Sequence, residues 1–448
     1  MMASSGNQSK RLETVVQLGF SVDIDEEDSL LVGHHSPLWR EWDGGQAGGR
    51  PTWLNPKDIP KNCISCKNCE NPMIFVCQLY APVDEVNQNA FHRSFYMFTC
   101  PNSSCAKETT GSTRVLRVQL PRENPYYPEE QDELWAMHLP ESWGVHLCKV
   151  CGQRGHGKCP VQGEYFCGKH HQKEYKKYVF DKTQRVSKQI DCRFLPSVLT
   201  ASELVVEEEP FCEKDEKARL KAERALFKTQ GLDVEERSED GEDEDEKLEQ
   251  TDLNEMYGAA DETVTKDPAT MHFYDRISRT GDVKTQCLRY LRWPDDELCS
   301  VSSTPLWIRS DFQPESIPKC EKCGAERKYE FQIMPQMLHY LLKDLELELA
   351  KEKMKAKIKK EDVDALKTAE SIMEQAPPEH IPPDFASSKQ KAVDALRKKL
   401  MDEDDNRPSW GVIAIYTCTG CCGGVDVDEE CDLGAYVEEF AWRQPSLD

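Results

Sequence analysis

The chain has 448 residues, enough for about three ordinary domains. Its 81 Asp and Glu against 57 Lys and Arg leave a formal net charge of -24. That balance excludes a general nucleic-acid binder, which needs a cationic face for phosphates, and favours solubility and attraction to basic partners. The first residues have no apolar core of signal-peptide length, and no run of about 18 apolar residues could span a bilayer, so no membrane partner is expected. An intracellular protein follows, whose 20 Cys stay reduced and, where clustered, point to metal before disulfides.

Residues 15–140 alternate short apolar runs with turn signals: "VVQLGF" (15–20), "MIFVCQLYAP" (73–82), "FHRSFYMFTC" (91–100) and "TRVLRVQL" (113–120). Rich in β-branched and aromatic residues and bounded by Gly, Pro, Asn and Asp, these read as strands. The Gly-rich "DGGQAGGRPTWLNP" (43–56) leads to an aromatic anchor and lacks the Gly-Lys-Ser/Thr and helix of a phosphate loop. Residues 146–192 are a compact Cys/His segment. Residues 193–267 read as a flexible acidic linker with helical patches, centred on "VEERSEDGEDEDEK" (234–247), which buries too little apolar surface to order itself. The strand pattern resumes near "CEKCGAERKYEFQIMP" (320–335) and closes with "WGVIAIYTC" (410–418) and "AYVEEFAWRQ" (435–444). Between them lies a helical insertion (336–408), whose Leu338, Leu342, Leu345 and Leu349 form a stripe on one helical face, more often a packing face than a partner groove.

Two stretches repeat. Cys66, Cys69 and Gln78 match Cys320, Cys323 and Gln332 without a gap; "MFTC" ending at Cys100 matches "IYTC" ending at Cys418; and "SPLW" (36–39) matches "TPLW" (304–307). One Cys-x2-Cys arises easily by chance, whereas four features in the same order indicate two homologous units. The two-residue gap lets both thiolates face one ion, and Zn²⁺ needs four such ligands in a tetrahedron. The first set is Cys66, Cys69, Cys100 and Cys105. The second is Cys320, Cys323 and Cys418 with Cys422, or with Cys421. A third Zn²⁺ set is expected in the middle segment from Cys148, Cys151, Cys167 and His171, the last two at i and i+4 of a short helix. Cys159 is left over, with His156, His170 and Cys192 near it, and Cys192, Cys212, Cys287 and Cys299 suit buried thiols. The expected fold is α+β but β-rich: two homologous zinc-stapled β lobes (12–140 and 268–448), a small zinc finger (146–192), the acidic flexible linker and the helical insertion in the second lobe.

Closed four-ligand sites are structural, with no open coordination position. With no His-Glu-x-x-His helix, Walker loop or Gly-x-Ser-x-Gly elbow, the sequence points to a non-enzymatic protein. An interlobe groove with Trp39, Trp53 and Trp307 is the expected binding surface, although each tryptophan is individually more often a core anchor.

These motifs resemble the programmed cell death protein 2 family. The resemblance rests on "VQLGF", "GGRPTWLNP", "CKNCENPMIFVCQLYAP", "FHRSFYMFTC", "QLPREN", "HLCKVCG", "CLRY", "IPKCEKCGAERKYEFQIMPQMLHYL" and "WGVIAIYTC", and covers most of the chain. It implies that the middle segment is a MYND-type finger fitted by Cys148, Cys151, Cys159, Cys167 and His171. Gln162 stands where a partner of Cys159 is expected, a departure from the second ion site of that finger type. It further implies a dedicated chaperone in ribosome biogenesis, a monomer that binds a newly made basic small-subunit ribosomal protein, without direct contact to nucleic acid, and escorts it from cytoplasm to nucleus. The alternative is a transcriptional or signalling scaffold that uses its finger for protein–protein interaction.

Overall fold

The structure is a computed structural model. It describes residues 16–23, 45–127, 139–160, 163–182, 195, 197–210, 267–280, 285–294, 305–343, 407–423 and 432–447. Ten strands close one barrel: β1 (Gln17–Val22), β2 (Gln46–Ala47), β3 (Ile74–Tyr80), β4 (His92–Thr99), β5 (Thr113–Leu120), β8 (Ser202–Glu208), β9 (Gln286–Tyr290), β10 (Arg327–Ile333), β11 (Ile413–Cys418) and β12 (Val437–Arg443). The short β6 (Gly157–Lys158) and β7 (Tyr165–Phe166) pair only with each other. The described helices are α1 (Ser103–Ala106), α2 (Lys169–Lys182), α3 (Pro268–Ser278) and α4 (Met337–Leu341).

The order around the barrel is β1-β8-β2-β3-β4-β5-β12-β11-β10-β9. The repeat is visible in it: β3, β4 and β5 occupy one half, and β10, β11 and β12 the other. Neither half closes alone. They join antiparallel at β5–β12, with Val115 opposite Glu439, and at β1, which pairs with both β8 and β9. The two β lobes expected from the repeat therefore form the two halves of one closed barrel.

Residues 202–208, which the sequence assigns to the linker, form β8. Only Ser202 and Leu204 of this strand are buried; Glu203, Glu207 and Glu208 and the exposed Val205 and Val206 fill the rest and hide the alternation. Of the expected insertion, α4 is described and caps the core through Met337 and Leu341, with Leu338 and Leu342 packed alongside. This is the packing role expected of the Leu stripe; Leu345, Leu349 and residues 344–406 lie outside the described residues, as do the acidic block and "SPLW".

The core follows strand alternation. Val115 joins the barrel core with Phe95, Met97, Leu288, Phe331, Ile413 and Ile415, whereas Leu116, Val118 and Leu120 face a second cluster with Trp53, Phe75, Tyr96 and Phe98. Fully buried ion pairs cross between the halves. Arg93 of β4 grips Glu330 of β10 with two hydrogen bonds, 2.6 and 2.7 Å. Glu330 also accepts from Tyr290 at 2.8 Å and from Thr417. Arg117 of β5 donates to Glu439 of β12 at 2.7 Å.

Removing one partner of such a pair leaves a buried charge, at a cost of about 3–5 kcal/mol. Glu330→Ala should lower stability by about that much, and Arg93→Met combined with Glu330→Leu should recover at least half of the loss, measured by urea unfolding. Burial alone raises the Glu330 carboxyl, but the Arg93 guanidinium holds it below the ordinary carboxylate range. The pair's contribution should therefore be complete above the ordinary carboxylate pKa and fade as pH falls through the lowered value. A pH profile unchanged by the double substitution would count against this assignment.

Candidate metal centres

Each metal set starts from the same local turn. In the first, Cys66 N–H donates to Asn71 O at 2.9 Å and Glu70 N–H to Cys66 O at 2.9 Å. In the middle segment Cys148 N–H donates to Gln153 O (2.7 Å) and Gly152 N–H to Cys148 O (3.0 Å). In the last, Cys320 N–H donates to Ala325 O and Gly324 N–H to Cys320 O, both at 2.8 Å. The residue after the second Cys turns left-handed each time: Glu70 at φ 61°, Gly152 at 68° and Gly324 at 74°. This turn folds the chain back so that both thiols face one point. Glycine adopts it freely, while a side chain such as that of Glu70 costs about 1 kcal/mol.

The partner cysteines come from the far ends of neighbouring strands. Cys100 follows β4, and Cys105 sits on α1, whose N-terminus is capped by Asn102 accepting from Ser104 N–H. Cys418 ends β11. The turn after it is held by the seam: Gln119 donates to Cys421 O (2.7 Å) and Gly423 O (2.9 Å), and Arg117 to Cys422 O (2.7 Å). With Cys421 at φ 44°, its side chain packs with Val83, Ala90 and Trp293, and Cys422 turns to the cluster. The choice between Cys421 and Cys422 is thus made by a turn that no spacing rule could read.

All twelve expected ligands meet in three groups, Cys66/Cys69/Cys100/Cys105, Cys148/Cys151/Cys167/His171 and Cys320/Cys323/Cys418/Cys422. Within each group the ligand atoms lie within 4.8 Å of one another. Bonds of about 2.3 Å to a tetrahedral ion imply sulfur–sulfur edges of about 3.8 Å. Observed edges are 3.5 Å for Cys69–Cys100, 3.9 Å for Cys66–Cys105, 3.7 Å for Cys151–Cys167, 3.5 Å for Cys320–Cys422 and 3.4 Å for Cys323–Cys418. His171 Nδ1 lies 3.7 Å from Cys148 Sγ and 3.0 Å from Cys167 Sγ. Each donor set fits one soft, tetrahedral dication. Such an ion also resolves the electrostatics. Burial pushes Cys105 up to about 11, while hydrogen bonding with Cys422 holds Cys418 down to about 4, so thiols this close cannot all ionise without a cation.

Among the remaining cysteines, Cys287 lies in the barrel core, as expected of a buried thiol. Cys159 is buried in the finger's own small core, while Gln162, Cys192, Cys212 and Cys299 lie outside the described residues. His156 is exposed; His170 is exposed too, and lies with Glu174 beside His171. Sequence reasoning overlooked Cys63, which lies beside Cys151 and Cys167 of the finger set and whose thiol donates to Ile64 O at 3.9 Å. The signal was the run Cys63-x2-Cys66-x2-Cys69, in which one short loop runs from the finger set to the first centre.

The finger is docked onto the first half of the barrel. Trp53 donates to Gly152 O at 2.8 Å, Ile64 N–H to Gln153 Oε1 at 2.6 Å, and Arg154 reaches Lys57 O and Ile59 O. Trp53 is 2% exposed, a core anchor; Trp307 is half-buried, and Trp39 lies outside the described residues. The repeat also runs further than its cysteines. Gln78 accepts from Thr52 N–H at 2.9 Å, and Gln332 accepts from Leu306 N–H at 2.6 Å. Pro305-Leu306-Trp307 is thus the structural counterpart of Pro51-Thr52-Trp53, at the same spacing ahead of the first Cys.

A closed antiparallel barrel stapled at its strand ends by candidate metal sets defines the class of protein. The family's N-terminal domain model matches residues 15–133 and its C-terminal domain model residues 267–363. The chain belongs to the programmed cell death protein 2 family. It is 28% identical over 439 residues to programmed cell death protein 2 of Bos taurus, covering 92% of this chain and 95% of that protein. It is 26% identical over 328 residues to programmed cell death protein 2-like of Mus musculus, covering 67% and 80%. It is 30% identical over 113 residues to probable 20S rRNA accumulation protein 4 of Schizosaccharomyces pombe, covering 25% and 26%. No solved structure matches the chain.

Metal analysis of the purified chain is expected to give three equivalents, and Cys323→Ser to remove one and destabilise the whole barrel, because binding free energy here is folding free energy and neither half closes alone. A variant that keeps its metal and its melting temperature would exclude Cys323 as a ligand. At Gly152, φ is +68° and an added Cβ would meet Arg50 Cβ at 2.9 Å. Gly152→Ala should therefore loosen the finger from the barrel by about 1–3 kcal/mol, read as faster amide exchange at residues 50–64.

Proposed function

We propose that the chain is a zinc-binding, non-enzymatic chaperone or adaptor. It binds a newly made, basic small-subunit ribosomal protein and supports ribosome biogenesis. The observation that carries this reading is kinship with a protein named for 20S rRNA accumulation. The net charge of -24 fits it, since a basic ribosomal protein without its RNA needs its charge shielded. Sets of three or four thiolates favour Zn²⁺ over harder cations. All three are closed by four protein ligands, which suits staples and leaves no position for a substrate. In this reading the protein is a monomer that works in cytoplasm and nucleus and makes no direct contact with nucleic acid. The scaffold alternative is weakened because the finger's Gly152 turn is already occupied by Trp53.

The acidic block supplies long-range attraction, and the barrel supplies shaped contacts. Deleting 234–247 should slow association with the client and flatten its salt dependence while leaving a specific complex. Cys323→Ser should abolish the complex. The measurement is a pull-down of newly made protein from cells, scored for ribosomal proteins across both variants. If none is enriched by the parent chain, or if the acidic block alone captures the client equally well, the chaperone reading fails.

A further inference from the structure

The two halves of the barrel treat equivalent tryptophans differently. In the first half Trp53 stacks on Tyr96 at 5.0 Å, meets Tyr436 edge-on at 5.2 Å and gives its indole N–H to Gly152 of the finger. In the second half Trp307 stands at the same place in the repeat but borders an open cleft of about 420 Å³, together with Pro294, Pro305, Pro314, Tyr329 and Tyr416. Among the described residues nothing accepts from its indole N–H, and nothing covers it as the finger covers Trp53. A row of rings runs outward from the cleft, Tyr329–Tyr416 at 6.1 Å, Tyr416–Phe440 at 6.0 Å and Phe440–Trp442 at 6.4 Å. The charged lining residues are Arg327 and Lys328, with no acidic one. Arg327 is paired with Glu439, whereas the Lys328 side chain, on the β10–β11 ladder, has no hydrogen-bond or ion-pair partner among the described residues.

We infer that this cleft is a docking site for an extended, proline-containing segment of another protein that carries a carboxylate. The first half shows what the site accepts, a backbone carbonyl on the indole and apolar groups against the rings. The interior of a helix cannot offer that carbonyl, because its own ladder uses it. An added strand needs a free sheet edge, and the barrel is closed. A polyproline II segment has unpaired carbonyls and flat rings that pack on aromatic faces, and it loses little entropy on binding. The unpaired Lys328 then selects an acidic neighbour. This inference is independent of the client reading, which concerns a basic protein, and either can fail alone.

The probe is a fluorescein-labelled octapeptide of prolines interrupted by one Glu and one Asp, titrated against the full, metal-loaded chain by anisotropy. Saturable binding is expected. Trp307→Phe, which keeps a ring but loses the N–H, should weaken it about fivefold. Lys328→Gln should weaken it about two- to fivefold and abolish the preference over a peptide with both acids replaced by amides. Both are partly exposed positions, and circular dichroism checks that the variants are folded. A further variant replaces Pro377, Pro378, Pro382 and Pro383 by Ala, because "PPEHIPPD" (377–384) of this chain has the same chemistry. Binding seen only in that variant would make the chain's own segment the occupant and overturn the proposal. Binding undiminished by both Trp307→Phe and Lys328→Gln would place the peptide elsewhere and overturn it too, as would no binding to any form.

Discussion

An open antiparallel sheet carries two edges of unpaired N–H and C=O groups, and neither half of this chain can satisfy its own. The first half borrows β8 from beyond the finger; the second borrows β1 from the start of the described chain. The remaining edges meet at β5 and β12. Closure therefore depends on strands far apart in sequence, a costly arrangement in loop entropy. It also places Arg93, Arg117, Glu330 and Glu439 in a fully buried setting where Arg93 and Arg117 each find a carboxylate from the other half. These pairs act as a check on register: a slip of one residue at the seam would turn Glu439 outward and leave Arg117 unpaired.

The metal sets address the same difficulty from the strand ends. A Cys-x2-Cys turn stands just before β3 and before β10, and the partner cysteines stand at the ends of β4 and β11. An ion there would fix neighbouring strands at one end, beyond the last ladder hydrogen bond, where a sheet would otherwise fray. The second set and the seam are physically continuous. Glu439 accepts from Cys418 N–H at 3.1 Å and from Arg117, which holds Cys422 O. Loss of the ion would reach the buried ion pair within one hydrogen bond.

The cysteine groups were legible because knuckle chemistry is local: the spacing, the following Gly152 or Gly324 and the strand endings all lie within short windows. The Gln of the repeat was visible, but its task was not, since pinning Thr52 or Leu306 requires the tertiary fold. The Pro-Leu-Trp likeness drew the alignment to residues 36–39, although equal spacing from the first Cys picks Pro51-Thr52-Trp53. β8 was lost because it buries only one face amid acidic residues. Arg93 and Glu330 look in sequence like exposed charges, although Arg93 shares a strand face with Phe95 and Met97; only closure of the barrel buries both and brings them together. Cys63 was passed over because its neighbours belong to a different motif.

Charge is divided unevenly in this molecule, and the division follows from the barrel. Its buried carboxylates are matched: Glu330 by Arg93, Glu439 by Arg117 and Arg327, and Glu209 by Arg276 and Arg289. A matched pair contributes little field at a distance. The excess behind the net charge of -24 lies elsewhere, most densely at 234–247. In the proposed reading, long-range attraction and shaped recognition therefore fall to different stretches of chain. A segment that buries little apolar surface can attract a basic partner from afar but cannot define its pose, whereas the stapled barrel can hold a surface in place. With Trp307 open and Lys328 unpaired, the barrel offers chemistry opposite to the field around it, so the two features select for different partners and need not compete for one.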